Sequence, residues 1–300
     1  MTDAAAAPTT EADGPFYRGG ARHRFTAREA TIVALEPLTP DYVRVTVTGP
    51  DFADFRSDGP SDHTRTFFPD PVTGRVVAPV AAGPGEEGVI RPQAEMFGRD
   101  FTPLNVRDED GRRLVDLDIL IHQGPGPAAR YIVQAKLGDT LVLVGPRGSK
   151  AVTRNAPRVV LIVDGTSLPS AARWLAELPA TTAVEIIADV PDLDAGRSYL
   201  HKALSRDAHS TAEAKSRGFG LHSARTSASG ADLVAALTAV GVDASTYVFA
   251  AGEASTLLSL RRHLRHTLNL PREQFTVTGY WREGVEAWDH HAPIDPADMD

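Results

Sequence analysis

Arg99-Asp100-Phe101-Thr102 puts a guanidinium, an aromatic ring and a hydroxyl within four residues. A guanidinium suits a phosphate, a ring lies along a planar heterocycle, and a hydroxyl reaches ring nitrogens, so the stretch fits a flavin platform. It also fits an ordinary barrel strand with a surface arginine. On a strand Arg99 and Phe101 share one face, and Thr102 joins them only if the strand ends there.

Ile121 to Tyr131 contains Gly124-x-Gly126-x-x-Ala129, the spacing of a dinucleotide turn. The helix it opens is stopped by Lys136-Leu137-Gly138-Asp139 after about two turns, too early for a Rossmann crossover. Pro127 suits a first helical turn, and the amides of Gly126, Ala128 and Ala129 are then free to receive a pyrophosphate. His122, just before, reads equally as a group beside that ligand or as a strand-end histidine bonded to backbone.

Val163-Asp164-Gly165-Thr166-Ser167-Leu168-Pro169 lies between a buried apolar run and a helix, where a nicotinamide dinucleotide binds; Asp164 and Thr166 are its candidate contacts. Gly165-x-Ser167 also resembles a hydrolase elbow, but Pro169 takes the place of the closing glycine that elbow needs. Ala251-Gly252-Glu253 ends another apolar run: Gly252 lets a ligand approach, and Glu253 caps the next helix or orients a ribose. Arg261, Arg262 and Arg265 on that helix read as a solvated face. Tyr280-Trp281-Arg282 sets an aromatic pair beside a cation at a strand end, to cover the flavin or meet a substrate. The adjacent His290 and His291 point apart on a strand, and Asp289 and Asp295 read as a solvated acidic tail, so no protein metal site is expected.

These groups must be positioned by 300 residues, which favours two domains. Thirty-one Lys plus Arg against 39 Asp plus Glu give a net charge of −8, which argues against general nucleic-acid or anionic-membrane binding. Zero cysteines exclude disulfides, thiolate metal sites and iron–sulfur clusters. The first ten residues lack a basic leader, and no apolar stretch has membrane-spanning length, so a cytoplasmic protein is expected. Residues 1–20 read as a disordered arm. Short alternations at 31–35, 42–47, 64–68, 100–105, 114–121 and 140–144, broken by a Pro- and Gly-rich loop at 69–98, predict an antiparallel Greek-key β-barrel over 21–153. Continuous apolar runs at 159–163, 184–188, 247–250 and 275–278 alternate with helical stretches and predict a parallel-sheet α/β domain over 157–284. An acidic tail over 285–300 follows.

In this order the motifs resemble those of the siderophore-interacting proteins, FAD-dependent ferric-siderophore reductases of the ferredoxin reductase-like superfamily. The resemblance spans about Arg22 to Trp288. The family's Arg-x-Tyr-Ser/Thr stands here as Arg99 to Thr102 with Phe101 for tyrosine, and Leu104 replaces a second arginine. Its Gly-Asp-Glu-Thr-x-Leu-Pro-Ala is matched at Asp164, Thr166, Leu168 and Pro169, with Val163, Gly165 and Ser170 as departures. The resemblance implies FAD in the barrel and His122 beside it. It further implies NADPH or NADH on the second domain, with Gly252, Glu253 and Trp281 nearby, and electrons passing through the flavin to siderophore-bound Fe(III). Arg65 and Arg282 become substrate contacts. An anionic substrate requires clustered cations, for which Arg22, His23, Arg24, Arg28, His63 and Arg65 are the candidates. Arg173, Arg197 and Lys202 are possible partners for a 2′-phosphate. A monomer is expected. A flavin oxidoreductase with another substrate, or a flavin-binding relative without reductase activity, is the alternative.

Overall fold

The alternating segments of the first half form one seven-stranded antiparallel sheet in the computed structural model, which describes residues 14–121, 126–208, 210–225, 230–285 and 288–298. From edge to edge its strands are Gly98–Phe101, Thr64–Phe67, Thr140–Val144, Ala27–Thr39, Tyr42–Thr48, Arg112–Leu120 and Pro103–Glu109. The two edge strands are successive in the chain with Thr102 alone between them, so the sheet curls until its edges meet at that residue. The expected antiparallel domain is therefore present. Among the described residues no ladder joins the two edges, and closure is made by the continuous chain. Ile32, Val45, Val47, Val115, Leu117 and Leu143 fill the interior with Phe52 and Phe55, the outcome of period-two alternation.

The second half forms a five-stranded parallel sheet in the order Gly220–Ser223, Ala183–Asp189, Arg158–Asp164, Thr246–Glu253, Phe275–Trp281. In the first of these to form in the chain, Val159, Leu161 and Val163 pack on one face with Trp174 and Tyr199, while Val160 and Ile162 pack on the other with Leu233 and Leu260. An apolar run without alternation is what such double coverage requires. Helices Leu168–Glu177, Leu193–Arg206, Ala231–Val240 and Ala254–Arg262 supply the cover. The edge strand Gly220–Ser223 carries no apolar run and is not visible in the sequence pattern. The strand order reverses beside Arg158–Asp164, which places a crevice at its C-terminal end. No helix among the described residues is long and apolar enough to cross a membrane.

Residues 14–20, expected to belong to a disordered arm, are instead packed. Phe16 is buried against Tyr247, and Arg18 donates to the carbonyls of Lys150 and Ala151 and to the Tyr247 hydroxyl. Gly20–Arg22 then pairs with Gly148–Lys150. The tail beyond residue 285 also folds back: Trp288 Nε1 donates to the Gly279 carbonyl at 3.2 Å, and buried Asp295 pairs with Arg262.

The two domains meet around Asp118. Arg44 donates from Nε to Asp118 Oδ1 at 2.7 Å, and the Tyr199 hydroxyl of the second domain donates to Oδ2 at 2.8 Å. Tyr42 stacks on Tyr199 at 4.1 Å between centroids and donates to the Gly165 carbonyl. Burial is the main reason that both phenols are held well above their ordinary pKa, so they remain donors. Asp118→Ala is expected to destabilise the chain by about 3–5 kcal/mol, because buried Arg44 loses its two short hydrogen bonds and keeps only Asp116 at 3.7 Å. Tyr199→Phe is expected to cost about 1.5–3 kcal/mol, the usual worth of a hydrogen bond to a charged group. Urea unfolding measures both; equal effects from the two variants would mean that Arg44 finds another counter-charge.

Candidate functional site

Between the domains lies a cleft of about 850 Å³. Arg65, Arg99, Asp100, Phe101 and Thr102 line it from the barrel, and Gly165, Thr166, Tyr280, Trp281 and Arg282 from the second domain. Gly126, Ala128 and Ala129 face it at the start of helix Pro127–Gln134. Three stretches distant in sequence thus share one volume, as a ligand with a ring, a phosphate and a nicotinamide partner requires.

The platform takes its shape from the break at Thr102. The strand ends at Phe101, so Arg99, Phe101 and Thr102 all reach the cleft instead of alternating away from it. Phe101 is fixed by an edge-to-face contact with Phe68 at 5.9 Å. Arg99 Nη1 donates to the Gly98 carbonyl at 2.8 Å, which holds the guanidinium along the strand. Thr102 Oγ1 lies 3.4 Å from Ser170 Oγ, and Ser170 Oγ 2.8 Å from the Tyr280 hydroxyl. Burial pushes the Tyr280 phenol up to about 12, which keeps its proton at neutral pH. Ser170, where the family pattern has alanine, therefore links platform and nucleotide domain.

Helix Pro127–Gln134 starts with Gly126 as N-cap and Pro127 in its first turn; no side chain caps it. Its first-turn amides are left for a ligand, the usual arrangement for a phosphate. A Cβ at Gly126 would meet no protein atom within 4 Å, so this backbone borders open cleft. His122 lies outside the described residues.

The second-domain turn is more committed than its sequence implies. Asp164 Oδ1 accepts from the amides of Thr166 and Ser167 and from the Thr166 hydroxyl, while Oδ2 accepts from Trp281 Nε1 at 2.7 Å. Asp164 shapes the turn and does not line the cleft; Thr166 and Trp281 do. Ser167 is buried, with Oγ donating to the Ala251 carbonyl at 2.6 Å, which removes it as a nucleophile. Gly252 has φ +155°, and a Cβ there would lie 2.8 Å from Asp164 Oδ2. A glycine here allows the close packing of two strand ends against Asp164. Glu253 caps helix Ala254–Arg262 through Thr256 N at 2.7 Å and accepts from Glu283 N with its other oxygen. The crevice bordered by Asp164, Gly252 and Glu253 is only about 10 Å³, too small to enclose a dinucleotide. Arg173 donates to Ser57 and to the Pro103 carbonyl, and Lys202 to the Leu38 carbonyl. Both hold the domains together, which corrects their reading as 2′-phosphate partners.

The expected cationic cluster does not assemble. Arg24 is bound to Asp51 and Asp54, Arg28 is buried with Asp54 and the Asp51 carbonyl, His23 bonds Ser149, and Arg22 faces Glu87. Of the six candidates, His63 and Arg65 line the cleft, with Arg65 paired to Asp100 at 3.1 Å. Arg18, Arg99, Lys150 and Arg282 join Arg65 in the lining, opposite three carboxylates, Asp62, Asp100 and Asp118. Asp118 is already answered by Arg44, so the cleft is locally positive in a chain of net charge −8. Arg282 also lies over the Trp288 ring at 5.3 Å.

At the rim His63 meets His290 and His291. Burial, followed by the charge of His290, pushes His63 down to about 4. Asp100 stays below the usual carboxylate range although burial opposes this, because its hydrogen bond with His290 and the charge of Arg65 outweigh the burial. Local spacing shows His290 and His291 only as neighbours beside Asp289 and Asp295; His63 reaches them from 227 positions earlier in the chain.

Arg99→Ala with Thr102→Ala is expected to weaken flavin retention by about 1.5–3 kcal/mol, the loss of a charge-assisted contact. The flavin-to-protein ratio after dialysis measures it, and an unchanged ratio would remove the flavin from this strand. Gly126→Val, whose side chain enters open cleft, is expected to lower FAD affinity more than FMN affinity, since FMN lacks the pyrophosphate. Equal losses would show that the helix end is not read by the second phosphate.

Residues 31–150 match the siderophore-interacting FAD-binding domain, and residues 156–284 match the siderophore-interacting protein family. The NADPH-dependent ferric-chelate reductase of Escherichia coli is 30% identical over 190 residues, 62% of this chain and 71% of that protein. Ferric vibriobactin reductase of Vibrio cholerae is 23% identical over 263 residues, 85% of this chain and 89% of its own. The crystal structure of a siderophore utilization protein from T. fusca is 31% identical, covers 92% of this chain and 100% of its own, and superposes with a TM-score of 0.73. With a ferredoxin reductase-like fold and both domains matched, the chain belongs to the siderophore-interacting protein family.

Proposed function

We propose that this chain is an FAD-dependent ferric-siderophore reductase that takes electrons from NAD(P)H and acts as a monomer in the cytoplasm. The observation that carries the reading is the single interdomain cleft, in which the Arg99 to Thr102 platform, the uncapped helix end at Gly126 and the turn at Thr166 face one another. The residues present fit FAD: Arg99 and the amides of Gly126, Ala128 and Ala129 hold its phosphates, and Phe101, Thr102 and Trp281 border its ring. When bound, FAD supplies the conversion of a two-electron donation by the nicotinamide into one-electron deliveries to Fe(III).

The chain's own work is placement and exclusion. Thr166 and the strand ends beside it hold the nicotinamide partner against the platform, with Asp164 and Trp281 keeping the turn rigid. Tyr280, Ser170 and Thr102 keep the two halves aligned through their hydroxyls. Arg282 and the other cations of the lining draw an anionic ferric complex to the open edge. No side chain has to move a proton, because loss of affinity drives release: hard oxygen ligands hold Fe(III) far better than Fe(II). The ferric-chelate and vibriobactin reductases among its relatives support this substrate class.

With FAD and NAD(P)H, the protein is expected to reduce a ferric siderophore anaerobically, read as Fe(II) trapped by a ferrous chelator. Arg282→Ala is expected to slow that reaction more than reduction of a small uncharged acceptor, because only the anionic complex uses the charge. A flavin that NAD(P)H reduces but no ferric siderophore reoxidises would reject the siderophore assignment and leave a flavin oxidoreductase. A flavin that neither nicotinamide cofactor reduces would move the electron donor elsewhere.

A further inference from the structure

At the cleft rim three imidazoles from opposite ends of the chain converge. His63 directly precedes strand Thr64–Phe67, and His290 and His291 belong to the tail that folds back after Trp288. One ring nitrogen from each lies within 4.8 Å of the others. The rings of His63 and His290 are 3.9 Å apart between centroids, and those of His290 and His291 4.1 Å. Ligand nitrogens of a tetrahedral site with metal–nitrogen bonds near 2.1 Å stand about 3.4 Å apart, so a small inward rotation of the rings completes such a set.

Two details point to an ion rather than to packing alone. His290 Nε2 is buried without any hydrogen-bond partner, although buried polar atoms are nearly always paired. Its Nδ1 lies 3.4 Å from Asp100 Oδ2, and Asp100 is anchored by Arg65. A proton kept between Nδ1 and that carboxylate leaves the Nε2 lone pair available, the carboxylate–imidazole pairing that orients metal ligands.

We propose that His63, His290 and His291 bind one divalent transition-metal ion, with the remaining coordination position open to the cleft. Three imidazoles select zinc, copper, iron or nickel over magnesium and calcium, which prefer oxygen. The ion ties the C-terminal tail to the barrel, since two ligands come from one and the third from the other. On the reductase reading above, the ion released alongside is Fe(II), and the site is then a receiver for the product; the metal site itself does not rest on that reading.

Calorimetric titration of the untagged, metal-stripped full-length chain with Zn²⁺, in the absence of NAD(P)H and siderophore, tests the site. One ion per chain is expected, with no binding of Mg²⁺. His290→Ala and His291→Ala, both in the tail and remote from either core, are each expected to weaken Zn²⁺ binding about tenfold or more, as is Asp100→Asn through His290. Absence of saturable Zn²⁺ binding overturns the proposal, and so does binding that the His290→Ala, His291→Ala double variant leaves intact. Anaerobic Fe²⁺ is expected to compete with Zn²⁺; failure to compete removes the product role. Because no turnover is measured, loss of the metal site and loss of the reductase reading are separate outcomes.

Discussion

The arrangement of the cleft depends on one buried carboxylate. Asp118 belongs to the barrel, yet one of its oxygens is held by Arg44 of the same sheet while the other also receives the hydroxyl of Tyr199 from the second domain. Two charges withdrawn from water cost several kcal/mol unless their geometry and remaining hydrogen bonds are satisfied. Tyr199 completes that requirement only when the domains sit at one distance and angle. The stacking of Tyr42 on Tyr199 and the donation from Tyr42 to Gly165 then fix the nucleotide turn relative to the barrel. A cleft that must hold a ring and its electron donor in near contact gains accuracy from this kind of polar hinge, which apolar packing would leave free to slide.

The same burial explains how an acidic protein offers a positive cleft. Its carboxylates are not absent from the lining but occupied: Asp118 by Arg44, Asp100 by Arg65, and Asp62 by the hydroxyls of Ser57 and Ser149 and the Gly59 amide. Burial is the largest influence on the Asp62 carboxyl and holds it above the usual carboxylate range. A field of several kT over a cleft follows from such local sorting and not from net charge.

Much of the architecture was legible in the sequence because both sheets obey simple periodicities. The strand Arg112–Leu120 is the alternation at 114–121, begun two residues earlier and ended one earlier, and Arg158–Asp164 is the continuous run at 159–163 with one more residue at each end. The platform and the helix start were legible for the same reason: their chemistry lies within a few consecutive residues. Long-range pairings were not. Arg24 and Arg28 read as free cations because Asp51 and Asp54, more than twenty residues away, are brought to them only by folding. Arg18 read as part of an arm because Tyr247 lies 229 positions on. Gly220–Ser223 was invisible because an edge strand needs no continuous apolar run.

The departures from the family pattern also acquire a cause when placed in three dimensions. A side chain at position 165 would begin 3.0 Å from Leu120 and 3.5 Å from the Tyr42 hydroxyl, so the acid of the family pattern would require Leu120 to give way where these barrel residues press on the turn. Val163 is buried in the sheet core, and Ser170 supplies the hydroxyl between Thr102 and Tyr280. Position 165 therefore yields to domain contact while position 170 strengthens it. The turn is braced from the barrel by Tyr42 and from the last strand by Trp281 through Asp164, and its placement beside Thr102 follows from those braces before any ligand arrives. Pre-placement of this kind lets binding free energy go to the reacting partners instead of to ordering the site.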